Sequence, residues 1–423
     1  MDFSFFIAKK LAFSKKSTFS SSIIKIAIVA VAVSTAVMII SVFMIRGFQV
    51  GISEKVFGFW GHIDIYSGQS TREISITPLK DYSNYIEDLK GIGQIEYQTL
   101  DNATRLTKGG VKHVQKYILY PAILKTKTDY DGMVLKGVGE DFYRENMQKY
   151  LKQGEFPYFG KDSVRDKIVI SKFTADRLNL KVGDKVISNF FIENNPVRKR
   201  LIISGIYNTG LAEYDKKLAF IDIRLLTKIL GWQKDEIGGM EVFVDNIEDL
   251  DVLNEYIYVE ILPSDIYSMT IKQKFPAIFE WLQLQNINEE VILLLMLIVS
   301  IINMITSLLI LILERTNMIG ILRSMGASTW SMRKIFLFHA SYIIIFGLIL
   351  GNILGIGFSL LQKHYGIIKL DEASYYLSQA PIYFDWGAWL LINIGTLILT
   401  FISLIIPSYL VSKIDPVKAI MFR

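Results

Sequence analysis

Four apolar runs, unevenly spaced, decide the class of this chain before any motif is read. They are Ile26–Ile45, Val291–Leu313, Ile335–Leu361 and Trp386–Val411, and none contains Asp, Glu, Lys or Arg. Each reaches the ~20 residues that a helix needs to cross a bilayer. A water-soluble domain has no use for four such runs. One lies near the start and three crowd the end, with a long polar insert between. The expected architecture is therefore an α-helical membrane protein with four transmembrane helices in a 1+3 order. A large α+β extracytoplasmic domain of two subdomains falls between helices 1 and 2.

Charge sets the orientation. Lys9, Lys10, Lys15, Lys16 and Lys25 precede the first run against a single acid, Asp2. Arg315, Arg323, Arg333 and Lys334 sit between runs two and three, and Lys413, Lys418 and Arg423 follow the last. The positive-inside rule places both termini and the middle turn in the cytoplasm. The first run exceeds the ~7–15 residues of a signal core and no A-x-A-like site follows it, so a retained anchor is expected. The predicted order is a cytoplasmic amphipathic segment (1–22), span one (23–47), the extracytoplasmic domain with its stalk (48–288) and span two (289–313). A cytoplasmic helix (314–334), span three (335–361), a short outer loop (362–385), span four (386–411) and a cytoplasmic tail (412–423) complete it. Aromatic residues and lysines in 1–22 suit a helix lying in the membrane interface.

Within the insert, alternation predicts strands at Gly61–Tyr66, Val111–Thr126, Met133–Val138, Lys185–Phe191, Arg200–Tyr207, Leu218–Ile223, Met240–Val244 and Ile257–Leu262. Helices are expected from Pro78 to about Leu89, over Glu140–Leu151, over Lys172–Leu178 and near Ile247–Tyr256. From about Ile271 a helical stalk leads into span two. The chain has no cysteine, so the domain is held by its own core rather than by disulfides.

The sequence carries little that could do chemistry. No G-x-x-x-x-G-K-[ST] phosphate loop is present, and the four histidines (His62, His113, His339, His364) form no metal-binding pattern. No catalytic residue, metal site or nucleic-acid partner is expected. Ion-coupled transport is disfavoured, because the spans carry no internal repeat and, apart from His339, no ionisable midplane residue. Gly347, Gly351 and Gly355 repeat every four residues in span three, a ridge that permits close helix contact. The most informative local stretch is Glu314–Trp330. A turn between antiparallel helices needs about two to five residues. An amphipathic element this long, carrying Arg323 and ending at Gly326, is expected to touch a partner.

That turn resembles the FtsX/MacB-like permease superfamily of ABC transporters, and the chain looks nearest to lipoprotein-releasing (LolC/LolE-type) permease subunits. The resemblance rests on Glu314-Arg315…Ile319-Gly320-Ile321-Leu322-Arg323…Gly326-Ala327-Ser328, on Ser374-Tyr375-Tyr376-Leu377…Ala380-Pro381-Ile382 and on Asp415-Pro416-Val417-Lys418-Ala419. It implies an inner-membrane protein with a periplasmic domain. Glu314, Arg315, Ile319, Gly320, Leu322, Arg323, Gly326, Ala327 and Ser328 would then form a coupling helix on a separate cytoplasmic ATPase dimer. ATP and Mg would be used by that partner and not bound by this chain. A second permease subunit, self or paralogue, is implied. Acyl chains would enter a cavity whose candidate residues are Met38, Val42, Phe43 and Ile45 with Val291, Leu294 and Leu295. In that family a protruding hook meets a periplasmic lipoprotein carrier. The matching loop here, with Pro196, Arg198, Lys199 and Arg200, is short and expected to be a tight hairpin, so carrier contact would need it to bend outward at Pro196 and present its basic edge. Efflux of the MacB mechanotransmission type, or a non-transport signalling or scaffold role, are the competing expectations.

Overall fold

The computed structural model describes residues 19–409 apart from 71–73, 76, 193–194 and 372–374. Most of the amphipathic 1–22 segment, the 412–423 tail with its Asp415–Ala419 motif, and Ser374 lie outside the described residues. The chain divides into two compact units, one holding the apolar helices and one built around a sheet.

Among the described residues, four helices are long and apolar enough to cross a membrane: Ile24–Trp60, Pro276–Glu314, Thr329–Tyr365 and Trp386–Ser408. They belong to α1 (Phe19–Trp60), α9 (Pro276–Glu314), α11 (Thr329–Tyr365), and α12 (Trp386–Ser403) with the short α13 (Ile405–Ser408). Each cap matches its sequence. Pro276 opens α9, where its missing N–H costs nothing. Ser328 and Asp385 cap α11 and α12, and Gly366 ends α11 in the left-handed region. α1 runs well past the expected span end at residue 47, because no proline interrupts it between Gly47 and Trp60 and the first left-handed residue is Gly61 at φ 71°.

The sheet unit takes in Gly51–Glu280 and Leu370–Ser378. Its strands are β1 (Ile63–Ser67), β2 (Glu96–Gln98), β3 (Thr104–Leu106), β4 (Val111–Lys125), β5 (Tyr130–Val138), β6 (Leu151–Gly154), β7 (Lys167–Ser171), β8 (Lys185–Ile192), β9 (Asn195–Tyr207), β10 (Leu218–Asp222), β11 (Gly239–Val244) and β12 (Ile266–Thr270). Ten of them make one sheet in the order β12-β1-β11-β4-β5-β10-β7-β9-β6, with β8 across β4 and β9; β2 and β3 pair separately. Two subdomains were expected, but the strands of both halves share this one sheet. The 15-residue β4 is the reason: its first half pairs with β11 and its last turns pair with β8, while β5 lies along its C-terminal half. The core behind β5, β7, β9 and β10 contains Ile118, Leu135, Ile168, Phe190, Ile203 and Leu226.

Three local expectations are corrected. Pro78 does not open a helix, because the N–H and C=O of Leu79 both bond Ile237 (2.7 and 3.1 Å); α2 (Ser83–Gly91) starts only at Ser83. The Glu140–Leu151 helix shrinks to α3 (Arg144–Gln148), since the Asp141 carboxylate accepts the Lys116 N–H (2.8 Å) and holds that corner to β4. Ile257–Leu262 is not a strand. Residues Ile257–Ile261 make a π-helical turn that extends α7 (Leu250–Tyr256), and the place beside β1 is filled by β12. Between these lie α4 (Lys172–Leu178), α5 (Ala212–Asp215), α6 (Ile223–Leu230) and α8 (Ile271–Lys274).

His62 precedes β1 and is held in its neutral form. Its Nδ1 accepts the Val244 N–H at 2.8 Å, and burial, with the nearby Lys112, lowers its pKa to about 4. Between pH 6.5 and 4 the unfolded chain binds a proton there that the folded chain refuses, so stability falls as pH falls. The loss from pH 7 to pH 5 is about 2 kcal/mol. Chemical denaturation of wild type and His62→Gln at both pH values should show that extra loss only in the wild type.

Candidate functional site

The connection between α9 and α11 is a built elbow rather than a loop. α9 ends at Glu314, and Arg315 leaves helical geometry at φ −99°, ψ 13°. α10 (Thr316–Ser324) follows, and its end is a Schellman motif: Ala327 N–H bonds Leu322 C=O at 3.1 Å and Gly326 N–H bonds Arg323 C=O at 3.0 Å. Gly326 makes this possible at φ +94°. Ser328 Oγ then accepts the Ser331 N–H and starts α11. The trio Gly326-Ala327-Ser328 thus sets the angle at which α10 meets the bundle.

α10 has two faces. Ile319 and Gly320 are buried, and Met318, Leu322 and Ala327 pack with them on a core that includes Met304, Leu308, Leu311, Ile312, Met332, Ile335 and Phe336. Away from that core, Ile321, Met325 and Trp330 are 48%, 79% and 57% exposed, and Glu314 is also exposed. Leu322 and Arg323 are half-buried. The outward face of the elbow is therefore apolar with flanking charge. Ile321, Met325 and Trp330 are exposed and missing from the expected coupling set; the signal for the first two was their i, i+4 spacing.

The glycine ridge of α11 faces α1. A Cβ on Gly347 would lie 2.7 Å from Val31, on Gly351 2.7 Å from the Ala32 carbonyl oxygen, and on Gly355 3.1 Å from Ile39. Two helices at such contact leave no room for a methyl group. Gly351→Leu is expected to destabilise the solubilised protein by about 1–3 kcal/mol through overpacking. Gly357→Ala, which meets nothing within 4 Å, should melt like the wild type in the same thermal assay.

The candidate cavity residues separate into two groups. Met38, Val42, Phe43 and Ile45 are buried, the first three packing with Ile39 and Ile392. Val291, Leu294 and Leu295 of α9 are exposed. The structure therefore does not bring the seven into one lining. Near the Trp386 end of α12, Arg46 lies 4.0 Å from Glu289 and 3.8 Å from Asp385, while Gln49 bonds Asn286. His339 is buried in α11. Pro196, Arg198, Lys199 and Arg200 lie on β9 of a hairpin whose strands stay paired to Ile192–Asn195. Pro196, Arg198 and Arg200 are exposed, Lys199 half so. Among the described residues no group of three or more His, Asp or Glu side chains could hold a metal ion.

Among the described residues the chain combines membrane-length helices, a capped elbow between the second and third, and a sheet domain ahead of the second in sequence. Residues 290–416 match the FtsX-like permease C-terminal family. The chain is also similar along nearly its whole length to lipoprotein-releasing system proteins. It is 23% identical to the transmembrane protein LolC of Neisseria meningitidis over 97% of this chain and 96% of that protein. It is 21% identical to LolE of Haemophilus influenzae over 99% of each, and 22% identical to LolC of Xylella fastidiosa over 97% and 96%. The extracellular domain of the ABC-type transporter YknZ from Gram-positive bacteria overlaps 49% of this chain and 98% of its own, at 14% identity and a TM-score of 0.33, too low to weigh.

Proposed function

We propose that this chain is the permease subunit of an ABC transporter that extracts lipoproteins from the outer leaflet of the inner membrane. The observation that carries this reading is the end-to-end similarity to lipoprotein-releasing permeases, which spans the sheet domain as well as the helices. A separate cytoplasmic ATPase dimer uses ATP and Mg, and a second permease subunit, self or paralogue, completes the complex. The positive-inside distribution puts the elbow in the cytoplasm and the sheet domain in the periplasm. The outward face of the elbow, Ile321, Met325 and Trp330, then meets the ATPase.

The task needs a motor, because each buried CH2 holds a lipid by ~0.8 kcal/mol and several chains must leave together. Val291, Leu294 and Leu295 offer apolar surface to an acyl chain in the resting state. Met38, Val42, Phe43 and Ile45 join them only if α1 shifts within its bundle. The exposed basic edge of the β9 hairpin, Arg198 and Arg200, is the part that meets a carrier.

Depleting the protein and fractionating triacylated lipoproteins tests the reading. Retention of outer-membrane lipoproteins in the inner membrane is the expected result. Normal sorting would overturn it and leave efflux of the MacB type.

A further inference from the structure

The indole of Trp60, the last residue of α1, is approached by two buried ammonium groups. Lys136 Nζ of β5 lies 4.5 Å from one ring of the indole, and Lys274 Nζ of α8 lies 4.3 Å away. Each ammonium has its own carboxylate: Lys136 bonds Glu241 of β11 at 2.6 Å, and Lys274 bonds Asp64 of β1 at 2.6 Å. Lys136 also donates to the Phe59 carbonyl at 3.0 Å. Gln115 donates to the second Glu241 oxygen at 2.6 Å, and the Tyr117 hydroxyl to the other Asp64 oxygen at 2.7 Å. None of the four charged side chains is more than 3% exposed.

Such a cluster is a poor way to gain stability alone, since well-packed apolar residues often do as well as buried ion pairs. What it does supply is a single geometry, because every donor and acceptor has a direction. Its members are placed at the roots of the long helices. Phe59 and Trp60 end α1, and Lys274 stands two residues before Pro276, where α9 begins. We propose that Trp60, Lys136, Glu241, Asp64 and Lys274 form a clamp that fixes the rotation of the α1 end and the approach to α9 on one sheet. Motion of either helix is then passed to the sheet domain instead of being lost at a hinge. These are positioning residues, and their role in transport rests on the lipoprotein-release reading.

The experiment uses the full chain with its ATPase and second permease subunit in lipid nanodiscs loaded with triacylated lipoprotein. ATP hydrolysis and lipoprotein release are measured together for wild type, for Trp60→Leu, and for the paired change Lys136→Met with Glu241→Gln, which leaves no charge orphaned. The expected result is ATP hydrolysis within twofold of wild type with release per ATP at least tenfold lower. Unchanged release per ATP overturns the clamp. A wild type that hydrolyses ATP without releasing lipoprotein instead overturns the transport reading. In that case the clamp is decided by geometry alone. The chain lacks cysteine, so spin labels at Glu54→Cys and Tyr130→Cys report the α1 end against β5. Their distance distribution should broaden in both variants, and an unchanged width overturns the clamp. If Trp60→Leu does not fold, Trp60→Phe, which keeps a weaker ring partner for the cations, takes its place with the same criteria.

Discussion

Lys136→Met alone is expected to melt far below the wild type, whereas the same change made together with Glu241→Gln should recover most of the loss. Both side chains are fully buried and 2.6 Å apart. Burial pushes the Lys136 ammonium toward deprotonation and the Glu241 carboxyl toward protonation, and the attraction of each for the other opposes this. Removing only the lysine strands a carboxylate in an interior that cannot solvate it, which costs about 3–5 kcal/mol. For a domain of this size that is a fall of roughly 6–20 °C in melting temperature. In the paired variant Gln115 still has an amide oxygen to donate to. Differential scanning fluorimetry of the solubilised chain reads both. A single variant that melts like the wild type would mean that Glu241 is already neutral when folded, and the ion-pair description would fall.

If the chain couples to a separate ATPase as proposed, Met325→Asp is expected to leave the protein folded while breaking that coupling. Met325, the residue that follows the last turn of α10, is 79% exposed, so nothing in the fold needs its side chain. Buried under a partner it would contribute about 1.5–3 kcal/mol, a tenfold or greater change in affinity. An aspartate there adds the penalty of desolvating a charge. Titrating purified ATPase onto the permease in nanodiscs should show at least a tenfold weaker interaction and loss of cargo-stimulated hydrolysis. Ile319→Ala, on the buried face, should lower stability instead. Equal binding by Met325→Asp and wild type would remove α10 as the docking element.

The parts of this structure that could be read from the sequence are those with a one-dimensional signal. Spans of unbroken hydrophobicity, the Lys172–Leu178 helix and strands such as β4 and β10 all follow from periodicity in a short window. Errors arose where a distant partner decided the outcome. Leu79 is extended because Ile237 claims its backbone, and Ile257–Ile261 coils although its β-branched residues favour a strand. At the elbow, Gly326 and Ser328 were legible as stop and start residues. Which face of α10 is free was not, because Ile319 and Ile321 are the same residue type and only packing against the bundle separates them. Buried Lys136 was invisible for the converse reason, since a single Lys within an apolar strand looks like a solvated position.

The position of β1 has a consequence for how the protein is made. The strand nearest the start of the domain pairs with β11 on one side and β12 on the other, and Asp64 finds Lys274 across 210 residues of sequence. The sheet therefore cannot close until β11 and β12 have been delivered. Until the last two strands arrive, β1 has open edges and Asp64 has no counter-charge. Assembly of the domain is thus a late event in synthesis, slow because its contacts are distant, and complete only when the chain has reached the root of α9.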